Sequence, residues 1–490
     1  MGESAAGRRV LVASNRGPVS FTRSDDGQLT AKRGGGGMVS GLSAVAETED
    51  MLWVCAALSD DDRAAARASG TGQLEWEGAA GDSAVRMLDL PPEVFDLAYN
   101  KVANSTLWFV HHMLFDTPNR PSFGPEFHRE WEAFRTYNEA FAAALAEAAK
   151  PDEQARALIQ DYHLCLAPRM LAGRTAGIRS AHFSHTPWAP PDYYRMLPDA
   201  VGREVLEGIL GADHAGFLCQ RWADAFVDCC EEFLDAAVDR DRSYVSYDGH
   251  RTSIGVHPLG VDAGQLRERA AEQDVQERMA GLAEQTAGRK LIVRVDRTEL
   301  SKNIVRGLEA YRELLRSHPE CRGQVTKLAS AYPSRAELPE YQEYTAAVAR
   351  LAGEITDEFA APGWDPVILE VNDDYARSLA ALRLADVLLV NPIRDGMNLV
   401  AKEGPILSDH GCVLVLSTEA GAAAELSDAA LMVNPYDVVQ TADALHRALV
   451  MSEQERSRRG AALASAAAAL PPDRWFADQL SALDRQPSQP

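Results

Sequence analysis

The feature that most limits what this chain can become is its rhythm of short apolar runs. They recur at 9–14 (RVLVAS), 157–163 (ALIQDYH), 181–187 (AHFSHTP), 214–219 (HAGFLC), 290–296 (KLIVRVD), 325–330 (VTKLAS), 367–372 (VILEVN), 386–392 (DVLLVNP) and 412–417 (CVLVLS). Ala- and Leu-rich stretches of helical character, such as EWEAFRTYNEAFAAALAEAA, lie between many of them. A strand covered by helices on both faces reads as a near-continuous apolar run, and strand–helix alternation favours parallel pairing. An α/β chain is expected, and the runs are too many for one sheet. Near 253–262 (SIGVHPLGVD) a strand-like run ends in Pro and Gly before the charged stretch AGQLRERAAEQDVQERMAGLAEQ, which divides the chain into two α/β halves. The stretch 458–472 (RRGAALASAAAALPP) predicts a helix stopped by Pro-Pro. In open α/β sheets ligands sit beyond the carboxyl ends of the strands, so the residues just after each run matter most.

With 490 residues there is room for two or three domains. The 49 Lys and Arg against 72 Asp and Glu leave a net charge of -23, which opposes nonspecific attachment to nucleic acid or an anionic membrane. An anionic substrate must then be met by a local cluster of cations and backbone N–H groups. The seven cysteines are odd in number and form no C-x-x-C, so neither a cysteine zinc site nor a disulfide framework is indicated. The start, MGESAAGRRVLVASNRG, lacks the apolar run of a signal peptide, and Ala6 stands where a myristoylation motif needs Ser or Thr. No stretch of about 18 apolar residues suggests a membrane span. A cytoplasmic protein is expected.

The segment 391–404 (NPIRDGMNLVAKEG) is the most informative. A strand ends, a glycine turn follows, and MNLVAKE is expected to start a helix whose first N–H groups, at Gly396, Met397, Asn398 and Leu399, face an anion. Glu403 lies seven residues after Gly396, two turns along the same face, where its carboxylate suits a vicinal diol. Standing alone, the segment also fits a solvated helix with an ordinary cap. Arg297 and Lys302 in VRVDRTELSKN (293–303) follow another strand and together would clamp a diphosphate leaving group; singly, each also fits a surface charge. AYPSR (331–335) ends a third strand with Arg335. In the first half, ASNRG (13–17) puts Arg16 after the first strand, AYNKVANSTLW (98–108) supplies Tyr99 and Trp108, and QDYH and FSHTPW place Asp161 and His185 at strand ends. Aromatic residues and a lone His are equally ordinary core residues. The run Gly34–Gly37 in AKRGGGGMVSGL is either a flexible loop or backbone that a ligand approaches closely. It meets neither the P-loop nor the dinucleotide spacing.

Taken in order, SNRGPV, GGMVSGL, YNKVANSTLW, QDYHL, HTPW, the Arg297/Lys302 pair, PSR, RDGMNLVAKE and NPYD (434–437) resemble the retaining glycosyltransferase family that makes trehalose 6-phosphate from a nucleotide-activated glucose and glucose 6-phosphate. The likeness runs from about residue 9 to residue 450. It implies a GT-B fold, two facing Rossmann-like domains with a cleft between them: residues 1–255 for the acceptor, 256–460 for the donor, and 461–490 a last helix crossing back to the first domain. By resemblance, Arg16, Tyr99, Trp108 and Arg335 hold the acceptor's phosphate and sugar ring, Asp161 an acceptor hydroxyl, and His185 the donor glucose. Arg297 and Lys302 hold the diphosphate, the backbone of Asp395, Gly396, Met397, Asn398, Leu399 and Val400 the glucose and phosphates, and Glu403 the ribose. Gly36 and Gly37 match a glycine pair that closes over the donor; Gly34 and Gly35 are extra.

The implied partners are a nucleotide-glucose and glucose 6-phosphate, with no cofactor and no metal, because cations and amides neutralise the leaving diphosphate. No carboxylate pair suits a glycosidase-like double displacement. The implied chemistry is front-face attack, in which the diphosphate takes the acceptor's proton. After Arg297 the family's Leu-Asp-Tyr-x-Lys-Gly becomes Thr-Glu-Leu-Ser-Lys-Asn, with Asn303 expected in a left-handed turn. After Glu403 the YVAAQ-like helix becomes GPILSDHG. In VNDDYARSL (371–379), Asp373 and Asp374 lie where relatives meet the nucleobase. Guanine's adjacent N–H donors suit a carboxylate and uracil's flanking carbonyls do not. GDP-glucose is therefore the expected donor, although UDP-glucose is the commoner one in the family; helix capping is the other use of these aspartates. Two rival readings are a pseudo-glycosyltransferase that couples cyclitols and a noncatalytic nucleotide-sugar sensor. The sequence leaves homo-oligomer formation open.

Overall fold

The computed structural model describes residues 9–24, 27–33, 51–75, 84–150, 154–175, 177–335 and 338–485. Gly34, Gly35, Gly36 and Gly37 lie outside the described residues. The chain divides into two compact units, 1–258 with 472–490, and 259–471.

The sheet of the first unit runs, edge to edge, through Ala237–Asp239, Tyr244–Tyr247, His250–Val256, His214–Phe217, Arg179–Ser184, Arg156–Gln160, Val10–Ser14, Met51–Ala56, Ala84–Leu88 and Gln73–Glu75. Its centre is parallel: Val10–Ser14, buried along its whole length, pairs with Met51–Ala56 on one side and Arg156–Gln160 on the other. Antiparallel pairs occur toward the two edges. The helix Pro125–Ala149 starts with Pro in its first turn and buries Phe127, Trp131, Phe134, Tyr137, Phe141 and Leu145. Their three- and four-residue spacing is one helical face, and that face fixes the helix on its unit.

The second unit has a wholly parallel sheet in the order Val367–Glu370, Val325–Tyr332, Lys290–Arg297, Val387–Val390, Val413–Ser417 and Leu431–Val433. Ile292, Leu308, Leu314, Val387, Val413 and Leu445 belong to one buried cluster between strands and helices. All of the apolar runs read in the sequence contain strands of these two sheets.

The chain leaves the first unit at Pro258 and returns to it at Pro472. The return comes later than 461 because the helix Glu453–Ala467 is continuous and stays with the second unit. There Arg456 Nη1 donates to the Asp386 carbonyl at 3.1 Å and Arg459 Nη1 to the Ala429 carbonyl at 2.9 Å. The last helix, Pro472–Asp484, buries Trp475, Phe476, Leu480 and Leu483 in the first unit, where Trp475 meets Phe183 edge-on at 5.1 Å. All seven cysteines are free and buried. Among the described residues no helix is long and apolar enough to cross a membrane.

Candidate active site

The first unit carries one group of the sequence-expected residues. Strand Arg156–Gln160 ends in Asp161, whose φ of 73° is rare for a residue with a side chain and whose strain marks a position held by its surroundings. The Asp161 amide donates to the Phe183 carbonyl at 2.7 Å, and its Oδ1 accepts the His185 amide at 3.2 Å. His185 Nε2 lies 2.9 Å from Oε1 of the fully buried Gln160, and its ring packs between Phe183 and Trp475, with centroids at 4.8 and 5.4 Å. Burial, with His182 alongside, pushes the His185 pKa down to about 3. The imidazole is therefore neutral near pH 7, and a neutral ring that donates Nε2–H to Gln160 offers Nδ1 as an acceptor.

Tyr99 and Trp108 flank the same region from a π-helix, Leu97–Leu107, and the turn after it. Such wide turns are rare and recur at functional sites. Tyr99 stacks on His163 at 5.6 Å, and His163 Nδ1 is 3.8 Å from Asp161 Oδ2; Trp108 lies 5.8 Å from the Tyr162 ring. Asp161, His185, Tyr99 and Trp108 thus share one patch. Arg16 reaches it less directly: Tyr137 OH donates to Asn15 Oδ1 at 2.6 Å and Ser14 Oγ to the Arg16 carbonyl at 2.6 Å, which fixes the loop. The Arg16 side chain is exposed and has no hydrogen bond or ion pair among the described residues.

The second unit carries the charged group. Arg294 is wholly buried within its strand, with Nε 2.9 Å from Asp296 Oδ2, Nη1 2.6 Å from Asn391 Oδ1, and Nη2 on the Lys302 carbonyl. Gly307 makes room for it, since a Cβ there would stand 2.5 Å from Nη1. Lys302 Nζ lies 2.7 Å from Asp395 Oδ2 and 3.9 Å from Asp296 Oδ1. Burial works against its charge, yet Asp395, Asp296 and Glu299 outweigh burial and raise its pKa. Glu299, with no exposed surface, accepts Arg297 Nη2 at 3.0 Å and Ser334 Oγ at 3.0 Å, with Arg335 Nη1 at 3.8 Å. Burial would raise the Glu299 pKa, but Arg297, Arg335, Lys302 and Ser334 together pull it down to about 2. Arg335 therefore stands with Arg297 on one carboxylate, in a different unit from the other residues assigned to the acceptor.

Asn303 adopts the expected left-handed conformation at φ 59°, and its Nδ2 donates to the carbonyls of Asn391 and Pro435 at 2.9 and 2.8 Å. The segment after Asn391 differs from expectation. The helix is Val400–Leu407, so Gly396, Met397 and Asn398 precede it as a loop, with Asn398 at φ 79° and its Oδ1 accepting the Ala401 amide at 3.1 Å. Leu399 is the N-cap, and the two-turn argument that linked Glu403 to Gly396 does not apply. Asp395 Oδ2 also accepts Asn398 Nδ2 at 3.0 Å, and a second loop presses on this one: a Cβ on Gly421 would fall 1.8 Å from the Gly396 carbonyl oxygen. Glu403 is half-buried, its carboxyl makes no hydrogen bond or ion pair among the described residues, and burial pushes its pKa up to about 7. Lys402, beside it, turns inward to Glu425 at 2.8 Å.

Asp374 is engaged elsewhere than with a base. It caps the helix Tyr375–Leu384 through the Arg377 amide at 2.9 Å and accepts Arg278 Nε at 2.8 Å. Asp373 is exposed. Sequence reasoning did not find Gln160, Arg294, Glu299 or Trp475. The available signal was a polar residue inside or just after an apolar run for the first three, and none for Trp475.

The model of glycosyltransferase family 20 matches residues 8–485. An alpha,alpha-trehalose-phosphate synthase (UDP-forming) of Schizosaccharomyces pombe is 32% identical over 464 residues, covering 93% of this chain and 86% of that protein. A bifunctional trehalose-6-phosphate synthase/phosphatase of Thermoproteus tenax is 32% identical over 467 residues, and the match spans 92% of this chain but only 60% of that relative. Among solved structures, the E. coli trehalose-6-phosphate structure bound with UDP-2-fluoro glucose superposes with a TM-score of 0.85 at 27% identity, covering 98% of this chain and 99% of that one. An alpha,alpha-trehalose-phosphate synthase (UDP-forming) from Burkholderia vietnamiensis gives 0.84 at 27% identity, covering 98% of both chains.

Proposed function

The chain belongs to glycosyltransferase family 20, retaining enzymes of GT-B type, and from that premise we propose that it transfers glucose from a nucleotide-glucose to glucose 6-phosphate, forming α,α-trehalose 6-phosphate. The observation that carries this reading is the charged lattice at the end of strand Lys290–Arg297. Arg297 is held there 3.0 Å from the buried carboxylate of Glu299, and Lys302 2.7 Å from the partly buried carboxylate of Asp395.

A diphosphate that leaves from the glucose gains charge as the bond breaks, and fixed cations stabilise that charge more than they stabilise the intact donor. Lys302 and Arg297 fill this role, and Met397, Asn398 and Leu399 supply amides ahead of the helix. The proposed step needs no metal: the acceptor hydroxyl attacks on the face the diphosphate leaves, its proton passes to a diphosphate oxygen, and configuration is retained. Arg335 shares Glu299 with Arg297, which makes it the cation of this unit best suited to the acceptor's phosphate. In the first unit, Asp161 would accept from an acceptor hydroxyl and neutral His185 from a hydroxyl of the glucose, with Tyr99, Trp108 and Arg16 around the acceptor. Glu403 would take the ribose hydroxyls. The seven buried thiols suit a reducing, cytoplasmic setting.

For the donor, UDP-glucose is the reading best supported, because the Schizosaccharomyces pombe and Burkholderia vietnamiensis proteins are named UDP-forming and the E. coli structure is bound with UDP-2-fluoro glucose. Capping by Asp374 removes one of the two carboxylates on which a guanine preference rested. GDP-glucose remains the second reading through the exposed Asp373. The test is kcat/KM with UDP-, GDP- and ADP-glucose for wild type and Asp373→Ala. Preference for UDP-glucose, unchanged by the substitution, is expected; a GDP preference abolished by Asp373→Ala would reverse the assignment. No transfer from any of the three would point to the cyclitol-coupling alternative.

A further inference from the structure

Away from the charged lattice, three metal-ligating side chains converge in the second unit. His318 ends the helix Ile304–Ser317, Glu320 lies in the following turn Pro319–Cys321, and His446 sits in the last turn of the helix Val438–Leu449. Glu320 Oε1 is 3.1 Å from His318 Nδ1 and 3.5 Å from His446 Nε2, and the two rings lie face to face at 3.5 Å with 7° between their planes. One ligand atom from each residue falls within 4.8 Å of the other two.

The geometry points to a binding site for a zinc-class divalent cation on His318, Glu320 and His446. Ligands at about 2.0–2.1 Å in a tetrahedral zinc site stand about 3.3–3.4 Å from one another, and the two carboxylate–imidazole separations bracket that edge; the stacked rings turn out of parallel on binding, to bring both in-plane lone pairs onto one ion. Two imidazoles and one carboxylate suit Zn²⁺ and its borderline neighbours better than Mg²⁺ or Ca²⁺, which prefer all-oxygen shells. The ligands stand on a rigid base: Leu314, Leu315, Leu445, Ala448 and Leu449 are buried in one cluster between the two helices. The His318 amide still donates to the Leu314 carbonyl at 2.9 Å, and Pro319 restricts the turn. The Glu320 side chain is 64% exposed, so a fourth position opens to water.

In the metal-free chain His318 Nδ1 stands within hydrogen-bond distance of Glu320 Oε1, at 3.1 Å. Metal binding requires both facing nitrogens to be unprotonated, so each neutral ring then carries its one proton on the far nitrogen. The helix Ile304–Ser317 has 14 residues, about 21 Å. It begins just after Lys302, while the other helix begins near Pro435, whose carbonyl accepts Asn303. The cation would therefore tie the far ends of two helices whose near ends frame the clamp. It would act as a staple and take no part in glucose transfer.

The experiment is calorimetric titration of Zn²⁺ into the full-length, chelator-treated protein, for wild type, Glu320→Gln, His446→Ala and His318→Gln. One equivalent should bind wild type, at least about tenfold more tightly than each variant. Saturating Zn²⁺ should raise the wild-type unfolding temperature and leave that of His446→Ala unmoved. Equal melts of wild type and variant in chelator establish that a variant is folded, and the three substitutions provide replacements for one that is not. Absence of saturable binding by wild type, or binding unaltered in the folded variants, overturns the site.

Discussion

The two units bring opposite materials to the proposed reaction. In the first, the proposed site is aromatic and largely uncharged: Tyr99 and Trp108 stack on His163 and His112, and His185 is neutral against Gln160. In the second it is ionic: Arg294, Arg297, Lys302 and Arg335 interleave with Asp296, Glu299 and Asp395. On the proposed reaction, orientation would fall to the first unit and charge stabilisation to the second. A sugar ring is positioned by shape and a few fixed hydrogen bonds, whereas a leaving diphosphate needs cations already paid for in desolvation.

The strongest way to break that division is to remove a cation. Lys302→Ala should lower kcat on the order of 10²- to 10³-fold, as removal of one fixed donor does at an oxyanion. It should also cost stability, since Asp395 loses its ammonium partner at 2.7 Å. Steady-state kinetics with both substrates saturating is the measurement. A rise confined to KM would mean that Lys302 binds donor and transition state alike, and the assignment of charge stabilisation to this unit would fail.

The matching change in the first unit is Gln160→Leu, which keeps size and removes the group 2.9 Å from His185 Nε2. Loss of orientation alone should cost about ten- to hundredfold in kcat. A pH profile separates positioning from mere packing. With the His185 pKa near 3, wild-type transfer should show no His185 limb between about pH 5 and 8. Gln160→Glu places a negative charge beside the imidazole, raises its pKa, and should introduce loss of rate toward acid pH. A Gln160→Glu profile that overlays wild type would show that Gln160 does not govern the protonation of His185.

How much of this was legible beforehand divides along the same line. The apolar runs at strand cores can be read because both-face burial leaves a composition signature, which MLWVCA at 51–56 carries as well. Edge strands such as Gln73–Glu75 and Ala237–Asp239 are three residues long and held by their partners' register, so their own composition says little. Arg297 and Lys302 stood out because charges follow a strand end. Arg294 and Glu299, which set their geometry, look like ordinary polar residues until burial is known. MNLVAKE has helical propensity from Met397, but Asn398, by adopting φ 79° and capping Ala401, delays the helix to Val400. Trp475 touches the His185 environment from nearly the other end of the chain, a contact that no local pattern encodes. The family resemblance located residues whose partners only the fold could supply.

The smallest expected effect sharpens the comparison within the second unit itself. Two half-hidden or hidden glutamates stand there with opposite pKa shifts: Glu299, surrounded by cations, is pulled down to about 2, whereas Glu403, without a cation to offset burial, is pushed up to about 7. The folded chain keeps a proton on Glu403 up to about pH 7, whereas the unfolded chain loses it near the ordinary value of 4.5. Between those values the unfolded state binds fewer protons, so this group makes stability fall as pH rises through the window. Glu403→Gln carries no such proton and removes that loss. The variant should therefore gain a few degrees in unfolding temperature over wild type at about pH 8 and little at about pH 4.5. Binding of the nucleoside diphosphate product reads the same group from the other side. An ionised carboxylate accepts both ribose hydroxyls, so wild-type affinity should rise with pH through 7 and the Glu403→Gln profile should lack that rise. A wild-type affinity that is flat across this range, with a stability difference independent of pH, would place the titration of Glu403 at its ordinary value and leave the ribose to another residue.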